Sequence, residues 1–443
     1  MFTLISFVAV SALLITEGSL IATLILRTRE EKILRSTLGY PLALLPNALL
    51  FFALHLLEIP FEFRTLLMLH VLFLGVLSGC VGLFVPLYSD SPSPQKEKHA
   101  DRNAVLKYVC TTLLALTVLT AALYALTLPT LYQDSFSQWS MRSYQSLHAG
   151  FFVIENVKMP HYPVLLHSLH LMQTALPGWN DLLINISTSL LSLSIYVSLF
   201  LLIQKRYSRM IALATLTLLM GIPLIALHLK QGMADIHLLG FALLSAIFLD
   251  QALEEKSRSL LLFSALLVIS AAWTKFEGIY FCLLPWLFIV LLHTRKKNTW
   301  KFSLCFGVIP ACILSAIWPI YLLSANMPLS PHGGSFGFHF DAVPHVLEQL
   351  FALGTFGLHW WAITCLLIVL LWQERKGLIL FLIEHPILLW GITSLILLLI
   401  TFLCTKEVDG LIHRHNFSRA MLLPTMLLTM GLTLECAKRL KRE

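Results

Sequence analysis

The chain has 443 residues, of which 57% are hydrophobic and only 12% charged, and it carries a formal net charge of +7 with a mean hydropathy of +0.80. A soluble domain carries about a quarter of its residues charged, so soluble enzymes, disordered chains and secreted disulfide scaffolds are excluded. What remains is an all-α polytopic membrane protein: in lipid every backbone polar group must be paired within the chain, and long apolar runs without strand-like alternation select helices over barrels.

Thirteen membrane segments are predicted, at about 4–26, 38–58, 65–88, 106–128, 180–203, 210–228, 234–253, 259–274, 279–293, 302–324, 354–372, 386–404 and 420–436. The first has no basic residue before Arg27, and its charge follows the apolar run. This argues against a cleaved signal peptide and for an N-terminus outside. With that orientation, 23 of the 31 Lys and Arg residues fall in inner loops and 8 in outer ones, as the positive-inside rule requires, and the C-terminus is cytoplasmic. The basic excess therefore reads as topology and not as a nucleic-acid surface.

The apolar stretch 259–293 is 35 residues long. As one helix it would reach about 50 Å, well beyond a hydrocarbon core of about 30 Å. It is predicted to be a hairpin turning at Lys275-Phe276-Glu277-Gly278. The hydrophilic Ser89–Asn103 linker divides an N-terminal three-span segment, 1–104, from a core, 105–443. Two outer segments, 129–179 and 325–353, are long enough to hold structure. Within the first, His161–Leu176 mixes Leu with His and Gln, the pattern of an amphipathic interfacial helix. The eight cysteines lie in or beside apolar runs and form no CxxC pair, so they read as buried small side chains.

Ionisable residues near membrane depth are expensive, so each is a site candidate. On the outer side these are Asp134 past the fourth segment, Asp235 at the start of the seventh, Lys275 and Glu277 at the hairpin turn, and Arg414, His415 and Arg419 before the last. Each has a plainer reading. Asp134 and Asp235 can cap helices, Arg419 can snorkel to headgroups, and Arg142 and Lys158 can face solvent. Lys275 and Glu277 can pair, although residues two apart on a helix do not face each other. His161, His167 and His170 have a spacing open to a metal, but more often such a set is the polar side of an interfacial helix. Trp360-Trp361 suggests an aromatic belt.

Several stretches carry a resemblance. Asp134-Ser135-Phe136-Ser137-Gln138-Trp139-Ser140, Pro160-His161-Tyr162-Pro163 with Pro177-Gly178-Trp179, Gly232-Met233-Ala234-Asp235, Thr274-Lys275-Phe276-Glu277-Gly278, and Ser418-Arg419 with Leu423-Pro424 occur in that order. In this the sequence resembles bacterial polytopic glycosyltransferases of the C-type fold, relatives of dolichyl-phosphate-mannose protein mannosyltransferases and of the lipid A aminoarabinose transferase. The resemblance covers roughly 129–425. Phe276 stands where the family usually has Asn, Ser135 where many members have a second acidic or a small residue, and Arg142 near a frequent Lys.

The resemblance implies transfer of a sugar from a polyprenyl-phosphate donor to a lipid, glycan or protein acceptor at the outer face of a bacterial cytoplasmic membrane. Attack by an acceptor hydroxyl needs a base, for which Asp134 is the candidate. The departing lipid phosphate gains charge, which fixed cations stabilise; Lys275, Arg419 and Arg142 are the candidates. Asp235, Glu277, His161 and Tyr162 are candidates for sugar or acceptor contacts, with Glu277 also able to orient Lys275. No phosphate loop or dinucleotide fingerprint appears, which argues against a nucleotide-sugar donor. No cofactor is required, although Asp134, Asp235 or the histidines offer ligands to a divalent metal. A transporter or lipid flippase is the competing class; it predicts inverted halves and ionisable residues near mid-bilayer.

Overall fold

The structure is a computed structural model that describes residues 2–26, 32–60, 62–84, 104–127, 135–154, 159–231, 233–297, 303–329, 336–352, 354–375, 377–412 and 416–440. Among these residues the only β pairing is one isolated antiparallel bridge, Phe336 to Thr405; all other regular structure is helical. The chain is a multi-pass membrane protein. Among the described residues nine helices are long and apolar enough to span by length and composition. All thirteen expected segments coincide with helices: those nine, a broken pair at 210–228, and three shorter apolar helices.

Packing divides the chain into two compact units, residues 1–154 with 165–217, and 155–164 with 218–443. Within the first unit the first three spans pack with later helices. The first unit holds α1 (Phe2–Leu26), α2 (Lys32–Leu56), α3 (Phe63–Phe84), α4 (Ala104–Thr127), α5 (Met141–Ala149), α6 (Leu165–Thr174), α7 (Asp181–Arg206) and the start of α8 (Arg209–Met220). α1 and α2 pack backbone to backbone at Gly18 and Gly39, where a Cβ on Gly18 would lie 1.8 Å from the Gly39 carbonyl oxygen. Small residues permit such close approach in lipid, where van der Waals contact and polar pairs hold helices together. A buried triad adds the polar part: His70 Nδ1 of α3 lies 2.5 Å from Glu17 Oε1 of α1, and Asn47 Nδ2 of α2 donates to Glu17 Oε2 at 3.4 Å.

α6 forms where the sequence placed an amphipathic helix, but all ten of its residues are buried. Its polar groups turn to protein partners: Gln173 Nε2 reaches Ser11 Oγ at 3.2 Å and Tyr40 OH at 3.0 Å. His167 and His170 both direct Nδ1 at the Trp139 carbonyl, 2.8 and 3.2 Å away.

The second unit holds α9 (Pro223–Gln231), α10 (Ala234–Glu255), α11 (Arg258–Thr274), α12 (Leu284–Lys297), α13 (Ile309–Ser324), α14 (His359–Gln373), α15 (Pro386–Cys404) and α16 (Leu422–Leu440). The segment expected at 210–228 is not one helix. It breaks at Gly221-Ile222, and α9 restarts on Pro223, whose missing N–H costs nothing in a first turn. The hairpin is present: Trp286 Nε1 donates to Ser264 Oγ at 2.8 Å. Residues 22 apart on one continuous helix would lie about 33 Å apart, so the chain must reverse between them. Trp360, read as half of an aromatic belt, is buried, while Trp361 is exposed.

Candidate functional site

The second unit gathers charge where three helices begin or end. Asp235 is in the first turn of α10, where the helix dipole favours a carboxylate, and Lys275 follows the last turn of α11, where it favours a cation. Lys275 has an extended backbone, φ −152° and ψ 143°. Its carbonyl accepts from Gly278 N–H at 2.8 Å, and a Cβ on Gly278 would lie 2.4 Å from the Ala271 carbonyl oxygen. A glycine is therefore needed to let the turn close against the end of α11. Arg419 lies on the one-turn helix Phe417–Ala420 just before α16.

These side chains meet around one carboxylate. Lys275 Nζ donates to Asp235 Oδ1 at 3.1 Å, and Arg419 Nη2 donates to Asp235 Oδ2 at 2.7 Å. Lys275 Nζ also lies 3.1 Å from Glu277 Oε1. That pair forms because the backbone at Lys275 is not helical, so the rule against helical neighbours two apart does not apply. Glu277 Oε2 is screened from solvent and has no hydrogen-bond partner among the described residues. The Lys275 ammonium sits 5.8 Å from the centre of the Tyr162 ring, within cation–π range. The His161 and Tyr162 rings lie 4.4 Å apart and tilted by 49°, and the His161 carbonyl accepts from Trp318 Nε1 at 2.8 Å.

Burial alone would favour a neutral Lys275. The Asp235 and Glu277 carboxylates outweigh it, and the Lys275 pKa is raised above the ordinary lysine value. The Tyr162 hydroxyl is also raised, first by burial and then by the Glu277 charge, so it is a neutral donor. Counted together, Asp235, Glu277, Lys275 and Arg419 balance in charge.

Two contributors were not foreseen from the sequence. His228 of α9 has Nδ1 3.9 Å from Asp235 Oδ2. Gln349 accepts from Ser418 Oγ at 2.8 Å and donates to the Leu411 carbonyl at 2.7 Å, fixing the segment that carries Arg419. Their signal in the sequence was only that of single polar residues in apolar surroundings. Asp134, the expected base, lies outside the described residues, as do Lys158, Arg414 and His415. Arg142 belongs to the first unit, where it is buried. Burial first and the Arg142 charge second hold His167 well below its usual pKa, so that imidazole is neutral. Among the described residues no three His, Cys, Asp or Glu side chains are arranged to hold a metal.

No family model and no curated protein matches this chain. Two crystal structures of ArnT from Cupriavidus metallidurans are similar to it. The one bound to undecaprenyl phosphate has a TM-score of 0.51 and 17% identity, and covers 75% of this chain and 61% of its own. The apo structure has a TM-score of 0.50 and 18% identity, and covers 74% and 60%. The chain thus spans about three-fifths of the length of those proteins. At such identity the likeness establishes the fold, that of the C-type glycosyltransferases.

Proposed function

We propose that this chain is a membrane glycosyltransferase that moves a sugar from a polyprenyl-phosphate donor to an acceptor at the extracytoplasmic face of a bacterial cytoplasmic membrane. The observation that carries the reading is the part-buried Asp235–Lys275–Arg419 cluster, in a chain with the fold of ArnT, for which a complex with undecaprenyl phosphate exists. Two cations held by one carboxylate are pre-organised for a phosphate: they need no rearrangement as charge builds on the leaving oxygen. In this reading Lys275 and Arg419 bind the donor phosphate, and Asp235 fixes the two cations.

Glu277 Oε1 steadies Lys275, and its unpartnered Oε2 accepts a sugar hydroxyl. The neutral Tyr162 hydroxyl and His161 line the same region. Asp134 takes the acceptor proton as the acceptor oxygen bonds to the anomeric carbon and the bond to the phosphate oxygen breaks. An N-terminus outside, supported by the loop charges, puts the ends of α11 and α15 and the start of α10 on the extracytoplasmic side. The expected acceptor is a lipid, a glycan or a protein.

The test supplies purified protein with radiolabelled polyprenyl-phosphate sugars and membrane lipid extract. Transfer by the native chain, lost in Asp134→Asn, supports the reading. Solute uptake in proteoliposomes without transfer would replace it with a transporter.

A further inference from the structure

Three phenylalanines in the loop between α13 and α14 are uncovered by protein. Phe336, Phe338 and Phe340 are 83%, 52% and 77% exposed. Phe340 opens a short 3-10 helix, and the Phe338 and Phe340 rings lie 4.1 Å apart. The alternate residues hold the segment in place. Gly337 N–H donates to the Cys404 carbonyl at 3.0 Å and His339 N–H to the Leu403 carbonyl at 2.9 Å. Cys404 is the last residue of α15, one of the nine long apolar spans.

The strip is therefore fixed at the depth where a spanning helix leaves the hydrocarbon. It is also continuous with a lipid-facing surface: Ile396 and Ile400, one turn apart on α15, are both exposed. A contiguous exposed apolar strip marks an interaction site, and the span end to which this one is bonded identifies the partner.

We propose that Phe336-Gly337-Phe338-His339-Phe340 is a membrane-contact element, its three rings seated among the acyl chains of bilayer lipid at the interface where α15 ends. The element has a consequence for the ion cluster. The same segment runs on to Gln349, which hydrogen-bonds Ser418 beside Arg419. Lipid contact thus anchors the outer end of the loop whose inner end holds that segment.

The test reads depth and not activity, so its outcome is independent of the proposed transferase function. A nitroxide label is placed by Phe338→Cys, and separately by Phe336→Cys, in the full chain with its eight free cysteines replaced. The protein is reconstituted into bilayers of phosphatidylethanolamine and phosphatidylglycerol. Collisions with oxygen exceeding those with a water-soluble nickel chelate severalfold, as at a label placed by Ile400→Cys, are expected. Nickel collisions equal to or above oxygen would make the strip an aqueous loop. Low collision rates with both would mean that protein covers it. Either result overturns the proposal, and the second position decides if the first variant does not fold.

Discussion

α16 separates two ion clusters of the second unit, one just before its start and one in its last turns. They lie about 30 Å apart along the helix, and each joins an arginine to carboxylates. At the far end Arg439 spends Nε on Glu435 at 2.7 Å, Nη2 on Glu374 at 2.7 Å and Nη1 on Gln373 at 2.6 Å, and His385 Nε2 lies 2.7 Å from Glu435 Oε2. That cluster ties the ends of α14 and α16 to the start of α15, and its charges close on one another. At the near end one carboxylate is shared by two cations and Lys275 is shared by two acids. The near cluster also stands on interrupted helices, the turn after α11 and the one-turn helix before α16. An arginine bonded through all three guanidinium nitrogens is a clamp; two cations converging on one carboxylate at broken helix ends are the arrangement proposed for the donor phosphate.

Activity separates the two most widely. Lys275→Met and Arg419→Met should each lower sugar transfer by about 10²–10³-fold, the usual loss when one donor to a developing anion is removed. Arg439→Met should leave transfer within about fivefold, because a partly exposed ion pair contributes about 1 kcal/mol or less. Initial rates with labelled polyprenyl-phosphate sugar measure both. Equal losses at the two ends would abolish the distinction between clamp and site.

Stability gives the next contrast. Asp235→Asn removes the one charge that two largely buried cations, 12% and 19% exposed, share. Breaking a buried pair from one side costs about 3–5 kcal/mol, read as a lower melting temperature in detergent. Asp235→Glu should recover part of it. Arg439→Gln should cost less, about 1 kcal/mol, since Arg439 and Glu374 are about a third exposed and the buried Glu435 keeps His385 as a partner. An Asp235→Asn chain as stable as the native one would mean that the two cations are satisfied without it.

Much of this was legible because lipid punishes ambiguity. A run of about twenty apolar residues has few alternatives to a spanning helix, so the segments could be read off. The ion cluster was legible for the same reason: Asp235, Lys275, Glu277 and Arg419 would not be tolerated at span ends without partners. The break at Gly221-Ile222 was not legible. Gly is common in membrane helices, and Pro223 fits the first turn of a new helix as well as it would kink an old one. The full burial of α6 was hidden too, because its His and Gln look the same whether they face headgroups or Trp139, Ser11 and Tyr40. His228 and Gln349 carry no motif; their roles come only from what the fold brings beside them.

The smallest expected effect is a flat line, and it tests which force governs Lys275. Burial by itself lowers a lysine pKa, while carboxylates raise it; here the carboxylates win and the folded value is raised. A group raised on folding contributes stability that is fully present below its unfolded pKa, about 10.4 for lysine. That contribution is lost only as pH climbs through the higher folded value. The melting-temperature difference between the native chain and Lys275→Met should therefore stay constant from about pH 6 to about pH 9. A native-chain advantage that grows between about pH 7 and pH 9 would show a lysine whose burial outweighs Asp235 and Glu277, because such a group binds fewer protons folded than unfolded. Such a lysine would lose its proton too readily to serve as a fixed cation for a phosphate.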